Sequence, residues 1–209
     1  MKNRIGFGAT FALLAAAMLA GVFLQSQFRA KDATSIAATR VATIVADQQP
    51  LPAFALQTEN GVFNNENLQG QWTLLFFGFA SCPDVCPTTL SMLDQAVDLL
   101  AQAKAPAPQI VFVSIDPDKD TPANAKKYAA FFNVDFEGVT AAEPALRELT
   151  TPLGVVFTKV PVGDEAYTMD HSTALVLLDP QGRRYAFFGA PHKAEDIAAD
   201  LALIMRRKL

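Results

Sequence analysis

Cysteine and histidine are scarce in this 209-residue chain, with two of each. Two cysteines cannot staple a disulfide scaffold. Basic charge is scarce in the body of the chain: residues 50–209 carry 12 Lys and Arg against 19 Asp and Glu. An acidic body without a basic stripe excludes nucleic acid as a partner. Low complexity is confined to an Ala-rich amino-terminal stretch, and no internal repeat is present. Charged residues make up only 18% and hydrophobic residues 51%, which excludes an intrinsically disordered chain. The length fits one domain plus an appendage.

The appendage is apolar. Residues 1–4 carry Lys2 and Arg4, and the next charge is Arg29. Ile5 to Leu24 is 20 uncharged residues, 16 of them apolar. As a helix it would span about 30 Å, one hydrocarbon core. The run is longer than a signal peptide's apolar core, and cutting after Ala15-Ala16-Ala17 would leave an apolar new terminus. The expectation is an uncleaved transmembrane anchor at 5–24, behind a cytoplasmic end at 1–4. The basic flanks tie, two against two, and the amino group tips the orientation. Four leading residues leave no room for a mitochondrial transit peptide. A bacterial inner membrane, with the body facing the periplasm, is the simpler inference. Residues 25–49, rich in Ala, Thr, Gln and Ser, read as a tether, and Pro50 and Pro52 punctuate the start of a body over 50–209.

That body alternates strand and helix signals. Phe54 to Gln57, a turn at 59–61 and Val62-Phe63 read as a hairpin. Trp72 to Phe79, Ile110 to Ile115 and Ala174 to Leu178 are near-continuous apolar runs, as in strands buried on both faces. Helical spacing predicts a helix over Pro87 to Ala103. Thr121-Pro122 predicts an N-cap with Pro at N1, opening a helix to about Phe132. A short helix is expected over Ala142 to Thr151. Asp179 to Gly182 turns into a hairpin strand, Tyr185 to Phe188, and Pro191 to Arg207 closes the chain as a helix. The class is α/β. Arg206, Arg207 and Lys208 suit a solvated helix end.

The two cysteines, Cys82 and Cys86, straddle a strand-to-helix junction in Phe77-Gly78-Phe79-Ala80-Ser81-Cys82-Pro83-Asp84-Val85-Cys86-Pro87. Pro87 at the first helical position would put Cys86 near the N-cap, where unpaired N–H groups and the dipole favour a thiolate. In an oxidising compartment such a pair forms a disulfide or holds a metal. As an inert structural disulfide it would close a tiny loop and gain little.

The run Phe77 to Leu90, centred on Cys-Pro-Asp-Val-Cys-Pro, resembles the Sco/SenC family of copper-binding assembly factors. Val113-Ser114-Ile115-Asp116-Pro117 with Asp120-Thr121-Pro122, Asp170-His171-Ser172 and Leu178-Asp179-Pro180-Gln181-Gly182 resemble three further blocks of that family, in order. The resemblance covers roughly residues 50 to 205, plus the anchor. It implies a thioredoxin-like fold, a central mixed sheet flanked by helices. Carried over by position, it implies copper ligands at Cys82, Cys86 and His171. The same two cysteines would be a redox-active disulfide. Where thioredoxins place a cis-proline facing the cysteines, this chain has Asp170-His171-Ser172-Thr173. Two thiolates and an imidazole suit Cu(I), while Cu(II) would want another oxygen or nitrogen donor. Zn²⁺ accepts the same set, so the family resemblance decides for copper. Met169 reads as core, and His192, just inside the closing helix, as solvated. Asp116, Asp118 and Asp120 imitate a hard-cation cluster but are better accounted for as a loop and helix start.

The resemblance implies a metallochaperone for the dinuclear copper centre of cytochrome c oxidase subunit II, fed by a periplasmic copper donor or thiol reductant. The alternative is a thiol–disulfide oxidoreductase that reduces the copper-ligating cysteines of the target and needs only Cys82 and Cys86. A peroxidase is disfavoured, because Phe79 and Leu75 stand where peroxiredoxins carry Thr or Ser and Pro.

Overall fold

A computed structural model describes residue 18, residues 39–164 and residues 166–206. The expected anchor at 5–24 lies outside the described residues, apart from Met18. No helix among the described residues is long and apolar enough to cross a membrane.

Among the described residues, ten strands and four α-helices follow in the order β1 (Ala42–Ile44), β2 (Ala55–Thr58), β3 (Gly61–Asn64), β4 (Thr73–Gly78), α1 (Val85–Gln102), β5 (Gln109–Ser114), α2 (Pro122–Phe132), β6 (Glu137–Val139), α3 (Glu143–Leu153), β7 (Phe157–Val162), β8 (Ala166–His171), β9 (Leu175–Leu178), β10 (Arg184–Phe188) and α4 (Ala194–Met205). The main sheet is mixed, in the order β1-β10-β9-β4-β5-β6. β4, β5 and β6 are parallel; β9 runs antiparallel to β4, β10 to β9 and β1 to β10. Every side chain of β4 is buried, which is why its sequence is a continuous apolar run rather than an alternation. Two hairpins, β2–β3 and β7–β8, stand outside the sheet.

Local chemistry sets the helix starts. Thr121 Oγ1 accepts the Asn124 N–H at 3.2 Å, with Pro122 at N1, as the sequence predicts. α3 ends on Gly154 in the left-handed region (φ 72°), the conformation a non-glycine residue adopts at a cost. α1 begins two residues before Pro87, so Cys86 sits inside its first turn. α1 and α4 pack together, and α2 lies on β5 and β6. A methyl group on Gly138 would stand 2.2 Å from the Ala125 carbonyl oxygen, so β6 and α2 meet backbone to backbone.

Part of the stretch read as a tether, 25–49, contributes β1. Val41 to Val45 is a mostly apolar, largely β-branched run that suits a strand, and a side chain distant in sequence holds its start. The buried carboxylate of Asp200, on α4, accepts the N–H groups of Arg40 (2.7 Å), Val41 (2.8 Å) and Ala42 (2.8 Å). The closing helix begins at Ala194, three residues later than expected, and Arg207 and Lys208 lie outside the described residues.

The strand directions place the carboxyl ends of β4, β5 and β10 and the amino ends of β9 and β1 at one end of the sheet. The cysteine loop leaves β4 there. β8 ends at His171 and feeds, through residues 172–174, into the start of β9 at the same end. Topology thus delivers His171 to the cysteines, about 90 residues away in sequence.

Candidate metal centre

Cys82 and Cys86 are free thiols in unlike settings. Cys82 is partly exposed; its N–H donates to the Phe79 carbonyl at 3.1 Å. Cys86 is fully buried, and its N–H donates to Cys82 Sγ at 3.4 Å. Its own Sγ lies over Gly78, where a β-carbon would stand 2.7 Å away. Gly78 is therefore glycine for a packing reason: only a hydrogen fits under the sulfur.

The expected thiolate at Cys86 is corrected by this burial. Desolvation pushes the thiol well above its ordinary value, and the nearest ionisable groups, Cys82 and Asp120, are acids that push the same way. A hydrogen bond from the Phe79 backbone pulls the other way, and burial outweighs it. The helix N-terminus alone does not make a thiolate of a sulfur sealed from water. Alkylation with iodoacetamide is expected to label Cys82 well before Cys86 in the native reduced chain, with the difference lost in denaturant. Peptide mass spectrometry reads the order, and equal rates would contradict the burial of Cys86.

His171 faces Cys82 across a cavity of about 250 Å³, whose wall also includes Phe79, Asp84, Met169 and Thr173. The His171 ring meets Phe79 edge-on, at a centroid distance of 6.0 Å and an interplanar angle of 88°. His171 Nδ1 is 3.0 Å from the Ser172 carbonyl oxygen. A carbonyl only accepts, so Nδ1 donates this bond and Nε2 is the ring nitrogen left for a metal. Cys82 and His171 thus share one opening, with Cys86 behind Cys82 and outside the cavity wall. Among the described residues, no three His, Cys, Asp or Glu side chains stand together as a ready metal site. The donor types fit a soft cation, two sulfurs and an imidazole nitrogen. Gathering all three around one ion requires at least one of these side chains to move.

The other sequence candidates find structural employment. Met169 is 6% exposed and forms part of the wall of this cavity. His192 is not solvated: it precedes α4, is half-buried, and its Nε2 donates to the Thr173 carbonyl at 2.9 Å. Asp116, Asp118 and Asp120 do not converge. Asp116 accepts from Tyr167, Asp118 pairs with Lys159, and Asp120 accepts from Ser114 and Ala80. A larger cavity, about 570 Å³, lies beyond Met169, but its Glu143–Arg147 and Asp118–Lys159 charges are already paired. Sequence reasoning missed Phe79 as part of the wall of the site and Tyr167 as the contact of the His171 strand with Asp116. Phe79 closes an apolar run and Tyr167 lies in a stretch without periodicity, so neither carried a signal.

Known proteins share this fold. The chain matches the SCO1/SenC family over residues 45–206. It is 35% identical over 147 residues to a SCO2-like protein of Rickettsia prowazekii, covering 69% of this chain and 71% of that one. Its fold superposes on ScoI of Arabidopsis thaliana, solved with copper bound, with a TM-score of 0.72 and 28% identity, covering 77% of this chain and 100% of that one. ScoI of Bradyrhizobium japonicum, also solved with copper bound, gives a TM-score of 0.62 at 36% identity, over 73% of this chain and 98% of that one. The matched segment contains both cysteines and His171, and the chain belongs to the SCO1/SenC family.

Proposed function

We propose that this protein is a copper metallochaperone, with Cys82, Cys86 and His171 as the ligands of a transferable copper ion. The observation that carries the reading is the shared cavity, lined by both Cys82 and His171, with the Cys86 backbone N–H donating to Cys82 Sγ. Copper is cargo here, and two thiolates with an imidazole supply a site suited to Cu(I). The copper-bound relatives support the choice of metal. Because Cys86 is protonated when buried, loading releases its proton, and a Cys82–Cys86 disulfide blocks loading.

The apolar run 5–24 would anchor the chain in a bacterial inner membrane, with 25–49 as the tether, whose last part supplies β1, and the thioredoxin-like body in the periplasm. The recipient would be subunit II of cytochrome c oxidase, during assembly of its dinuclear copper centre, and a periplasmic copper donor or thiol reductant would reload the site.

The test is Cu(I) titration of the reduced chain against a chromogenic chelator. Wild type should hold one copper tightly, and His171→Ala should weaken it by at least about 100-fold, as for loss of a ligand rather than a supporting partner. Equal binding by both would sink the three-ligand site. The thiol–disulfide oxidoreductase reading draws on the asymmetry of the pair, an accessible Cys82 over a buried Cys86. It would be favoured by a mixed disulfide between Cys82 and the recipient that turns over without His171.

A further inference from the structure

The loop between β5 and α2 touches both halves of the candidate centre. On one side, Asp120, 4% exposed, accepts the Ala80 N–H (2.8 Å) and the Ser114 hydroxyl (2.5 Å) through Oδ2. Ala80 is two residues before Cys82, so Asp120 holds the base of the cysteine loop. On the other side, Asp116, 1% exposed, accepts the Tyr167 hydroxyl at 2.8 Å through Oδ1. Lys119 Nζ donates to the Tyr167 carbonyl at 3.2 Å and sits 3.6 Å above the Tyr167 ring. Lys159, on β7, ion-pairs with Asp118. The loop is itself rigid, since the Lys119 and Asp120 N–H groups both donate to the Asp116 carbonyl (3.1 and 2.8 Å). Tyr167 and His171 lie four residues apart on β8, on the same face of the strand.

We propose that residues 116–120 are a brace that sets the separation between the cysteine loop and His171, with Asp116 and Tyr167 as positioning residues for the metal centre. The inference rests on the copper reading above and assigns work to three aspartates that the ligand set does not use. Buried carboxylates are costly unless paired. Here two of them are spent at the junction of the cysteine loop and the hairpin β7–β8, an element that stands outside the main sheet. Without the Asp116–Tyr167 contact the hairpin keeps its own ladder and the exposed contacts of Lys119 and Lys159, but loses its one part-buried hydrogen bond to the loop. His171 would then sample a range of distances from Cys82. Metal affinity suffers although neither positioning residue touches the metal.

The experiment is a double-mutant cycle on the full reduced chain, read by Cu(I) competition with a chromogenic chelator. The variants are Tyr167→Phe, His171→Ala and the two combined. Tyr167→Phe keeps the ring under Lys119 and removes only the hydroxyl. It should weaken copper by about 10- to 100-fold, the range for groups one step behind a ligand. In the His171→Ala background the same change should add little, because the brace acts through His171. Asp116→Asn, whose amide oxygen still accepts from the phenol, should bind copper more tightly than Asp116→Ala. In the copper-free chain, the imidazole ¹⁵N resonances of His171 should shift or broaden in Tyr167→Phe.

Wild-type affinity in Tyr167→Phe, beside strong weakening in His171→Ala, overturns the brace and leaves the copper site intact. So does a Tyr167→Phe loss that persists in full without His171, which marks a general loss of stability. Unchanged His171 resonances overturn it too. Wild-type affinity in His171→Ala overturns the copper reading itself, and the brace with it.

Discussion

Gly138→Ala should cost this protein most of its stability. The added β-carbon would stand 2.2 Å from the Ala125 carbonyl oxygen, 2.3 Å from its carbon and 2.4 Å from the Lys126 nitrogen. All three are backbone atoms of α2, so no rotamer change relieves the contact. Either α2 lifts from β6 or β6 leaves the sheet. Overpacking a core costs about 1–3 kcal/mol when side chains can give way. With rigid backbone on both sides the loss should exceed about 3 kcal/mol, a large part of the 5–15 kcal/mol typical of a folded domain. The damage reaches the metal end, because lifting α2 moves the Thr121 cap and the adjoining Asp120. A urea denaturation midpoint measures the loss. Gly189→Ala, where nothing lies within 4 Å and φ is ordinary, serves as the control and should change stability by less than about 0.5 kcal/mol. A wild-type midpoint in Gly138→Ala would show that α2 does not rest on β6 as closely as described.

Asp200→Ala should be nearly as severe by a different route. It removes the acceptor of three consecutive backbone N–H groups and leaves them facing apolar α4. An orphaned buried donor costs about 1–3 kcal/mol. Arg40 and Val41 are exposed enough for water to replace the carboxylate, while Ala42 is buried. The expected total is therefore about 3 kcal/mol, or a fall in Tm of about 6–12 °C for a body of this size. Asp200→Asn keeps one acceptor oxygen and should lose less. Hydrogen exchange separates this effect from general unfolding, because the amides of β1 should lose protection before those of β4. Uniform loss of protection across the sheet would contradict a local clamp.

Buried strands and capped helices were legible in the sequence because burial and capping leave local marks. Trp72 to Phe79 predicted β4, Ile110 to Ile115 predicted β5, and Thr121-Pro122 marked the start of α2, each to within a residue or two. The hairpin β7–β8 left no such mark. Its first strand, Phe157–Val162, is exposed after Phe157 and includes Lys159 and Pro161, so no apolar alternation announces it. β1 does carry a mark, the largely β-branched run Val41 to Val45, but the polar residues around it read as a tether and the carboxylate that holds its start, Asp200, is about 160 residues away. Within the site, spacing made the cysteine pair legible and family resemblance pointed to His171. The burial of Cys86 was not readable. It depends on Gly78 lying beneath the sulfur, and a glycine in an apolar run does not disclose what it makes room for.

The chain joins the folded body at Arg40 to Ala42, at the end of the sheet that also carries the cysteine loop. Three strand spacings separate β1 from β4 in the sheet, about 14 Å. The other pole is far away: α1 runs about 27 Å from its first turn, which holds Cys86, to its last. There Arg206, at the end of α4, donates to the Ala103 carbonyl at 3.4 Å. A spectroscopic label at Arg40 would therefore sense the cysteine loop from about half the distance of one at Arg206.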